Sequence, residues 1–189
     1  MTARLILICH ASTEAVRRFA FPADEPLDER GKAHAAALAG LLPGADRCWA
    51  SPELRTRQTA EALRLKATIR STLCDCDYGA WKGYSFSDVL AREPDAVSDW
   101  LHDPTAAPHG GESIASLMRR VAQWLDAENA MDHRAILITH ASIIRAAIVR
   151  AIEAAPQAFW RIDIAPLSMT RLSGANGRWN LTSAGCCSG

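Results

Sequence analysis

Two short segments of this chain are almost the same. Residues 6–12 read Ile-Leu-Ile-Cys-His-Ala-Ser and residues 136–142 read Ile-Leu-Ile-Thr-His-Ala-Ser, so only Cys9 and Thr139 differ. Each is a continuous aliphatic run, the pattern of a strand buried on both faces. Each ends in a histidine, a small residue and a serine before a helix-forming stretch. No other segment recurs, so this is not a solenoid repeat. In open α/β sheets ligands bind beyond the carboxyl ends of the strands. Two such strands side by side put His10 and His140 over one cleft. The small Ala11 and Ala141 let the backbone approach a ligand there, and the helix N-termini that follow offer N–H groups and a positive dipole end to an anion.

The rest of the chain supplies what such a sheet needs. Residues 28–42 are Ala/Leu-rich with helical spacing and stop at Pro43-Gly44. A short strand is expected at 47–50. Ser51 then reads as an N-cap with Pro52 at the first helical position and Glu53 in an acidic first turn, opening a helix to about Leu65. Short strands and a turn are expected over 66–83. Residues 84–108, broken by Pro94, Pro104 and Pro108, read as an inserted helical cap. An amphipathic helix follows Gly110-Gly111-Glu112-Ser113, with apolar residues at 114, 117, 118, 121, 124 and 125. The second buried strand, 135–139, leads into a helix from Ala141 to about Glu153. A terminal hairpin over 167–172 and 179–182 closes the pattern, and residues 184–189 read as a disordered tail. Strands alternating with helices predict a single α/β domain over 1–189: a three-layer sandwich, its sheet mostly parallel, with helices on both faces.

Composition removes several classes of partner. Acidic and basic residues balance at 21 each, which gives no general attraction to nucleic acid or an acidic membrane. No run approaches the roughly 20 apolar residues of a membrane helix, and Leu5–Cys9 is too short for a signal h-region. A cytoplasmic protein with reduced cysteines is expected. Its cysteine spacings, Cys74-Asp75-Cys76 and Cys186-Cys187 among them, are not those of a zinc site. His34, His102, His109 and His133 lie in helical or loop contexts and are expected on the surface.

Several motifs occur in a fixed order. Cys9-His10-Ala11-Ser12-Thr13 follows the first strand, and Leu27-Asp28-Glu29-Arg30-Gly31 comes next. After it runs Ser51-Pro52-Glu53-Leu54-Arg55-Thr56-Arg57-Gln58-Thr59-Ala60. Leu73 to Gly83 carries Asp75, Gly79, Trp81 and Gly83. Gly110–Ser113 and Thr139-His140-Ala141 complete the series. In this order they resemble the histidine phosphatase superfamily, which includes the cofactor-dependent phosphoglycerate mutases; the likeness spans residues 4 to about 172. The resemblance implies a phosphoglycerate mutase-like fold and a phosphomonoesterase acting on a small phosphorylated metabolite, without metal or cofactor. It assigns His10 as the nucleophile that becomes a phosphohistidine, Arg55 as a clamp on phosphate oxygens, His140 as a stabiliser of transition-state charge, and Asp75 as the acid that protonates the leaving oxygen. Thr13 would hydrogen-bond a phosphate oxygen, and Ala141 would offer its backbone to the same group. Arg57 competes with Arg55 from the other side of its helix, and Asp77 with Asp75 from the opposite face of a strand. Glu112 reads as a first-turn helix residue.

Three departures stand out. Asp75 occupies the family's glutamate position, Ala11 replaces a glycine, and Cys9 stands where the family has its first arginine. Losing one partner of a buried charge pair costs roughly 2–5 kcal/mol, a rate loss of about 30- to 4,000-fold if all of it falls on the transition state. Either another cation such as Arg17 or Arg18 swings in, or the enzyme is slow, or the domain is a non-catalytic module that binds phosphate without turning it over. Cys9 is not a cysteine-phosphatase nucleophile, because Cys-x₅-Arg would need arginine where the chain has Ala15. A thiol or metal site on Cys9 and His10 is disfavoured, since adjacent strand residues point to opposite faces. No motif names a substrate or an oligomeric state.

Overall fold

The computed structural model describes residues 2–129 and 131–186. In chain order its elements are β1 (Ala3–Cys9), α1 (Glu14–Arg17), α2 (Glu29–Ala37), β2 (Arg47–Ala50), α3 (Leu54–Ala62), β3 (Thr68–Ile69), α4 (Phe86–Arg92), α5 (Pro94–His102), α6 (Ile114–Asn129), β4 (Arg134–Thr139), α7 (Ala141–Ala151), β5 (Met169–Ala175) and β6 (Arg178–Cys186). The sheet order is β3-β2-β4-β1-β5-β6. The first four strands are parallel, and β5 and β6 are antiparallel at one edge. This is the expected α/β sandwich, with a mixed, mostly parallel sheet.

The alternation of side chains along β1 explains the two layers of helix. Leu5, Leu7 and Cys9 point to one face, where with Leu137 they pack against Leu117, Val121 and Leu125 of α6 and Ile143 and Ala147 of α7. Ile6 and Ile8 point to the other, against Ala35 of α2 and Ala60 of α3, with Leu63 just beyond. The apolar run has no polar alternation because both faces are covered. β1 and β4 pair in register from Arg4–Arg134 to Cys9–Thr139. The His10 N–H then donates to the Thr139 carbonyl at 2.8 Å. The sequence echo is thus two neighbouring strands that stop at the same level.

Several local expectations are corrected. Ser51 does not cap α3. Glu53 takes the N-cap position, and Ser51 Oγ instead donates to the Leu73 carbonyl and meets Thr139 Oγ1 at 2.9 Å. The only strand in 66–83 is Thr68–Ile69; the rest is loop with short 3₁₀ turns at Ser71–Leu73 and Gly79–Trp81. The turn expected around Gly79 and Gly83 is present: Gly79 has φ +47° and its α-carbon faces the His109 carbonyl so closely that no Cβ fits, and Gly83 has φ +83°. The hairpin is longer than expected, turning at Asn176 and Gly177, both with positive φ. Residues 184–186 of the expected tail belong to β6; 187–189 lie outside the described residues. His109 and His133 are buried, not exposed. His109 stacks 4.9 Å from Trp81 and accepts from the Gly111 N–H. His133 lies 3.2 Å from the Glu128 carboxylate.

α4 and α5 pack against each other and bury Val89, Val97 and Trp100 in the larger core. Trp100, Phe21, Tyr78 and Trp81 form an aromatic cluster beneath them, with ring centroids 5.2–6.4 Å apart. The opposite side of the His10 loop is fixed by α2. Asp28 caps that helix through the Gly31 N–H and also accepts from Ser12 Oγ at 2.8 Å. Gly31 lies directly under Ser12, where a Cβ would collide with the Ser12 carbonyl oxygen and sit 2.9 Å from its nitrogen. Gly31→Ala should therefore destabilise the fold by about 1–3 kcal/mol, lowering the melting temperature by roughly 3–10 °C. Gly44→Ala, with open space around it, is the control; equal losses in both would remove the packing argument.

Candidate active site

His10 and His140 follow the last residues of β1 and β4, and their ring centroids lie 5.4 Å apart at 63°. Both are buried. His10 Nδ1 lies 2.8 Å from the Ala11 carbonyl oxygen. A carbonyl only accepts, so Nδ1 carries the hydrogen and the lone pair is on Nε2. Ala11 itself is held by Thr59, whose Oγ1 accepts from the Ala11 N–H at 3.0 Å. His140 is the N-cap residue of α7. Its Nε2 meets Glu53 Oε2 at 2.8 Å, and its Nδ1 lies 3.4 Å from Asp75 Oδ2.

Arg55 sits in the first turn of α3 and is almost fully buried, with 1% of its side chain exposed. One Nη donates to Asp75 Oδ2 at 2.7 Å and the other to the Ala23 carbonyl at 3.0 Å. Asp75 is thus the hub of the site. It takes Arg55 on Oδ2 and the Ser142 hydroxyl on Oδ1, and its backbone N–H donates to Glu53 Oε1. The loop that presents it is fastened from behind by Arg120, which donates to the carbonyls of Thr72, Cys74 and Asp75 and forms a two-pronged pair with Glu112. Glu112 therefore supports the loop from outside the site.

Two hollows meet at Asp75. The inner, about 140 Å³, is lined by His10, His140, Ala141, Ser142 and Arg145 among others. The outer, about 510 Å³, is lined by Arg55, Glu53, Cys74, Asp77 and Lys82 among others. Pro22 and Asp75 border both. The structure thus brings His10, His140, Arg55, Asp75 and Ala141 into one locality. Ala141 opens α7, whose first N–H groups lack helical carbonyl partners.

It does not bring Thr13 there. Thr13 caps α1 by accepting from the Val16 N–H and donates to Glu25, so its hydroxyl is already committed. α1 is a single turn, in contrast to α7. Arg17 is exposed and pairs with Glu14, and neither it nor Arg18 lines either hollow. Asp77 pairs with Lys82 on the outer rim, and Arg57 is exposed. The site residues that escape sequence reasoning are Glu53, Ser142 and Arg145. Ser142 had a signal, since it echoes Ser12 and each hydroxyl donates to a carboxylate. Among the described residues, no group of three or more His, Cys, Asp or Glu is arranged to hold a metal ion, and no helix is long and apolar enough to cross a membrane.

Burial and neighbouring charge set the protonation states. Burial lowers the His10 pKa, and His140 and Arg55 lower it further, to about 3. The ring is neutral across the physiological range. Burial alone would raise the Asp75 carboxyl, but His140 and Arg55 outweigh it and hold it at about 2. Glu53 is likewise below its usual value, because the His140 hydrogen bond overcomes burial. The Cys9 thiol is pushed up to about 12, first by burial and then by Asp75, so it stays protonated and adds no charge.

These shifts predict an acid sensitivity with a defined window. Between pH 6.5 and about 3 the unfolded chain takes up a proton at His10 that the fold refuses. Stability therefore falls as pH drops through that range, by about 3 kcal/mol near pH 4 from this residue. Asp75 acts lower: its contribution is complete above its ordinary 3.8 and is lost only as pH falls toward about 2. Melting temperatures measured from pH 7 to 4 should decline in the wild type and decline less in His10→Asn; parallel curves would contradict the assignment to His10.

The chain is similar to known proteins along most of its length. The model of the histidine phosphatase superfamily (branch 1) matches residues 5–186. The chain is 31% identical over 154 residues to phosphoserine phosphatase 1 of Hydrogenobacter thermophilus, covering 76% of this chain and 73% of that one. It is 31% identical over 182 residues to a bifunctional protein of Mycobacterium tuberculosis, covering 88% of this chain and 49% of the relative, so it spans about half that relative's length. Among solved structures, a mycobacterial glucosyl-3-phosphoglycerate phosphatase in complex with VO3 superposes with a TM-score of 0.86 at 25% identity, covering 97% of this chain and 99% of that one. The match to the family runs from the first strand to the last, and the chain belongs to the histidine phosphatase superfamily, branch 1.

Proposed function

We propose that the chain is a phosphomonoesterase that works through a phosphohistidine on His10 and acts on a small phosphorylated metabolite. The observation that carries this reading is the pairing of a neutral, tautomer-fixed His10 with His140 5.4 Å away, beside a buried arginine. The phosphate group enters where Asp75 now holds Arg55, and Arg55 exchanges a carboxylate for phosphate oxygens that suit its planar fork. His10 Nε2 attacks phosphorus, and the bond from phosphorus to the ester oxygen breaks. The departing oxygen takes a proton from Asp75. Once released from Arg55 and set beside a phosphate dianion, that carboxyl loses one of the two contacts, His140 and Arg55, that hold its pKa down and gains a neighbour that raises it, so it takes up a proton from solvent before the transfer. Water then attacks the phosphohistidine, giving up a proton to Asp75, and inorganic phosphate leaves with His10 restored. His140 and Arg55 stabilise the charge on the transferring group.

The outer hollow is large enough for the alcohol portion of the substrate. The named relatives act on phosphoserine and on glucosyl-3-phosphoglycerate, which sets the first panel: both compounds, 3-phosphoglycerate and p-nitrophenyl phosphate. His10→Ala should reduce turnover by at least about 10³-fold and abolish any acid-labile phosphoenzyme. Equal activity in wild type and variant would take His10 out of the mechanism. A folded wild type that binds phosphate with no turnover on the panel would favour a non-catalytic phosphate-binding module.

The role of Asp75 has its own test. A general acid contributes about 10²–10⁴-fold, and it matters most when the leaving group is a poor one. Asp75→Asn should lose that factor on alkyl phosphates and much less on p-nitrophenyl phosphate, whose phenolate departs without a proton. Equal losses on both would assign Asp75 to binding rather than proton transfer.

A further inference from the structure

Arg145 lies one helical turn beyond Ala141 on α7 and lines the inner hollow with His10, Asp75, His140 and Ser142. It is half-buried on a helix whose neighbouring positions, Ile143, Ile144, Ala146 and Ala147, are fully buried. Two contacts fix its posture. Its Nε donates to the Ile162 carbonyl at 2.7 Å, and its guanidinium carbon stands 5.7 Å from the centre of the Phe159 ring. Those contacts use the inner nitrogen and one face of the plane. Among the described residues no hydrogen bond engages either terminal nitrogen, and no carboxylate pairs with Arg145. The contrast with Arg55 is plain, since both terminal nitrogens of Arg55 are already committed to Asp75 and the Ala23 carbonyl. A guanidinium held in place at one end, with free donors on a hollow that also contains two imidazoles, is preorganised for an anion. Cys9 lies within electrostatic reach of Asp75, Arg145 and Arg55, but its thiol is buried and uncharged and lines neither hollow, so it supplies no cation there.

We infer that Arg145 is the second guanidinium of the phosphate site, gripping phosphoryl oxygens from the inner side while Arg55 grips them from the outer. This assignment rests on the phosphatase reading, and it fills from α7 a position that Cys9 cannot fill from β1. An arginine introduced at position 9 would compete with Arg145 for the same oxygens.

The test has a turnover arm and a binding arm. The binding arm is the shift in melting temperature produced by inorganic phosphate or vanadate, which needs no chemistry. Arg145→Gln, which keeps a donor for the Ile162 carbonyl, should weaken phosphate affinity and lower kcat/KM by about 30-fold or more. Arg145→Lys should fall between. The double variant Cys9→Arg/Arg145→Gln should recover much of the loss, whereas Cys9→Arg alone should bring no gain. Wild-type phosphate affinity and turnover in Arg145→Gln, beside an inactive His10→Ala, would overturn the role of Arg145 and leave the phosphatase reading intact. If no variant turns over any substrate, loss of phosphate stabilisation in Arg145→Gln still supports the assignment, and its retention overturns it. A loss of melting temperature without ligand, equal in Arg145→Gln and Arg145→Lys and with unchanged phosphate affinity, would likewise overturn it in favour of a purely structural contact with Ile162 and Phe159.

Discussion

β1 and β4 run side by side in parallel, matched residue for residue from Arg4–Arg134 to Cys9–Thr139. The two imidazoles and the start of α7 inherit their position from that ladder. Because both strands are apolar on both faces, the register is fixed twice over: a slip of one residue would send every Leu and Ile of β1 to the wrong layer. The histidines come immediately after the last paired residues, so their separation is a property of the sheet rather than of a loop. α7 starts at once behind His140 and carries Ser142 and Arg145 into the same space, one turn apart.

Against that rigid floor the carboxylates are arranged as a chain of exchanges. Glu53 faces His140 and the Asp75 backbone, Asp75 faces Arg55 and Ser142, and Arg55 faces Asp75 and Ala23. Each of these three charges has a partner, which limits the cost of burying it; half-buried Arg145 is the cation beside them that no carboxylate pairs with among the described residues. On the proposed mechanism an incoming phosphate displaces a carboxylate from Arg55, while Arg145 offers it donors that no carboxylate holds. On the same proposal, the Arg55 pair that helps His140 keep Asp75 ionised is broken by the event for which Asp75 must hold a proton, so binding and protonation are coupled in part through that contact.

Much of this was legible in the sequence. The two strands were readable because unbroken aliphatic runs are a local signal, and Arg55 and Asp75 were readable through ordered motifs at fixed spacing. What was hidden depends on pairings between distant segments. Thr13 looked like a phosphate ligand, but its hydroxyl is used by the Val16 N–H and Glu25. Glu53 looked like an ordinary first-turn acid, and only folding brings His140 to it. His109 and His133 read as surface residues because their aromatic neighbours, Trp81 and Trp49, lie elsewhere in the chain. Arg145 gave no signal, since a cation in an otherwise apolar helix reads as a solvent-facing position until the hollow beside it is seen.

The hydrogen bond from the His10 amide to the Thr139 carbonyl ties the clock of the chemistry to the clock of the whole molecule. That amide is buried at the carboxyl end of the two central strands, and a buried, hydrogen-bonded amide exchanges with solvent only when the structure around it opens. The loop bearing Asp75 is held instead by side chains, with Arg120 behind it, Ser51 on the Leu73 carbonyl, and Arg55, Ser142 and Glu53 on Asp75 itself. On the proposed mechanism the proton donor can therefore be retimed by changing a few side-chain contacts of its loop, while any drift in the placement of the imidazoles must be taken out of the stability of the sheet itself.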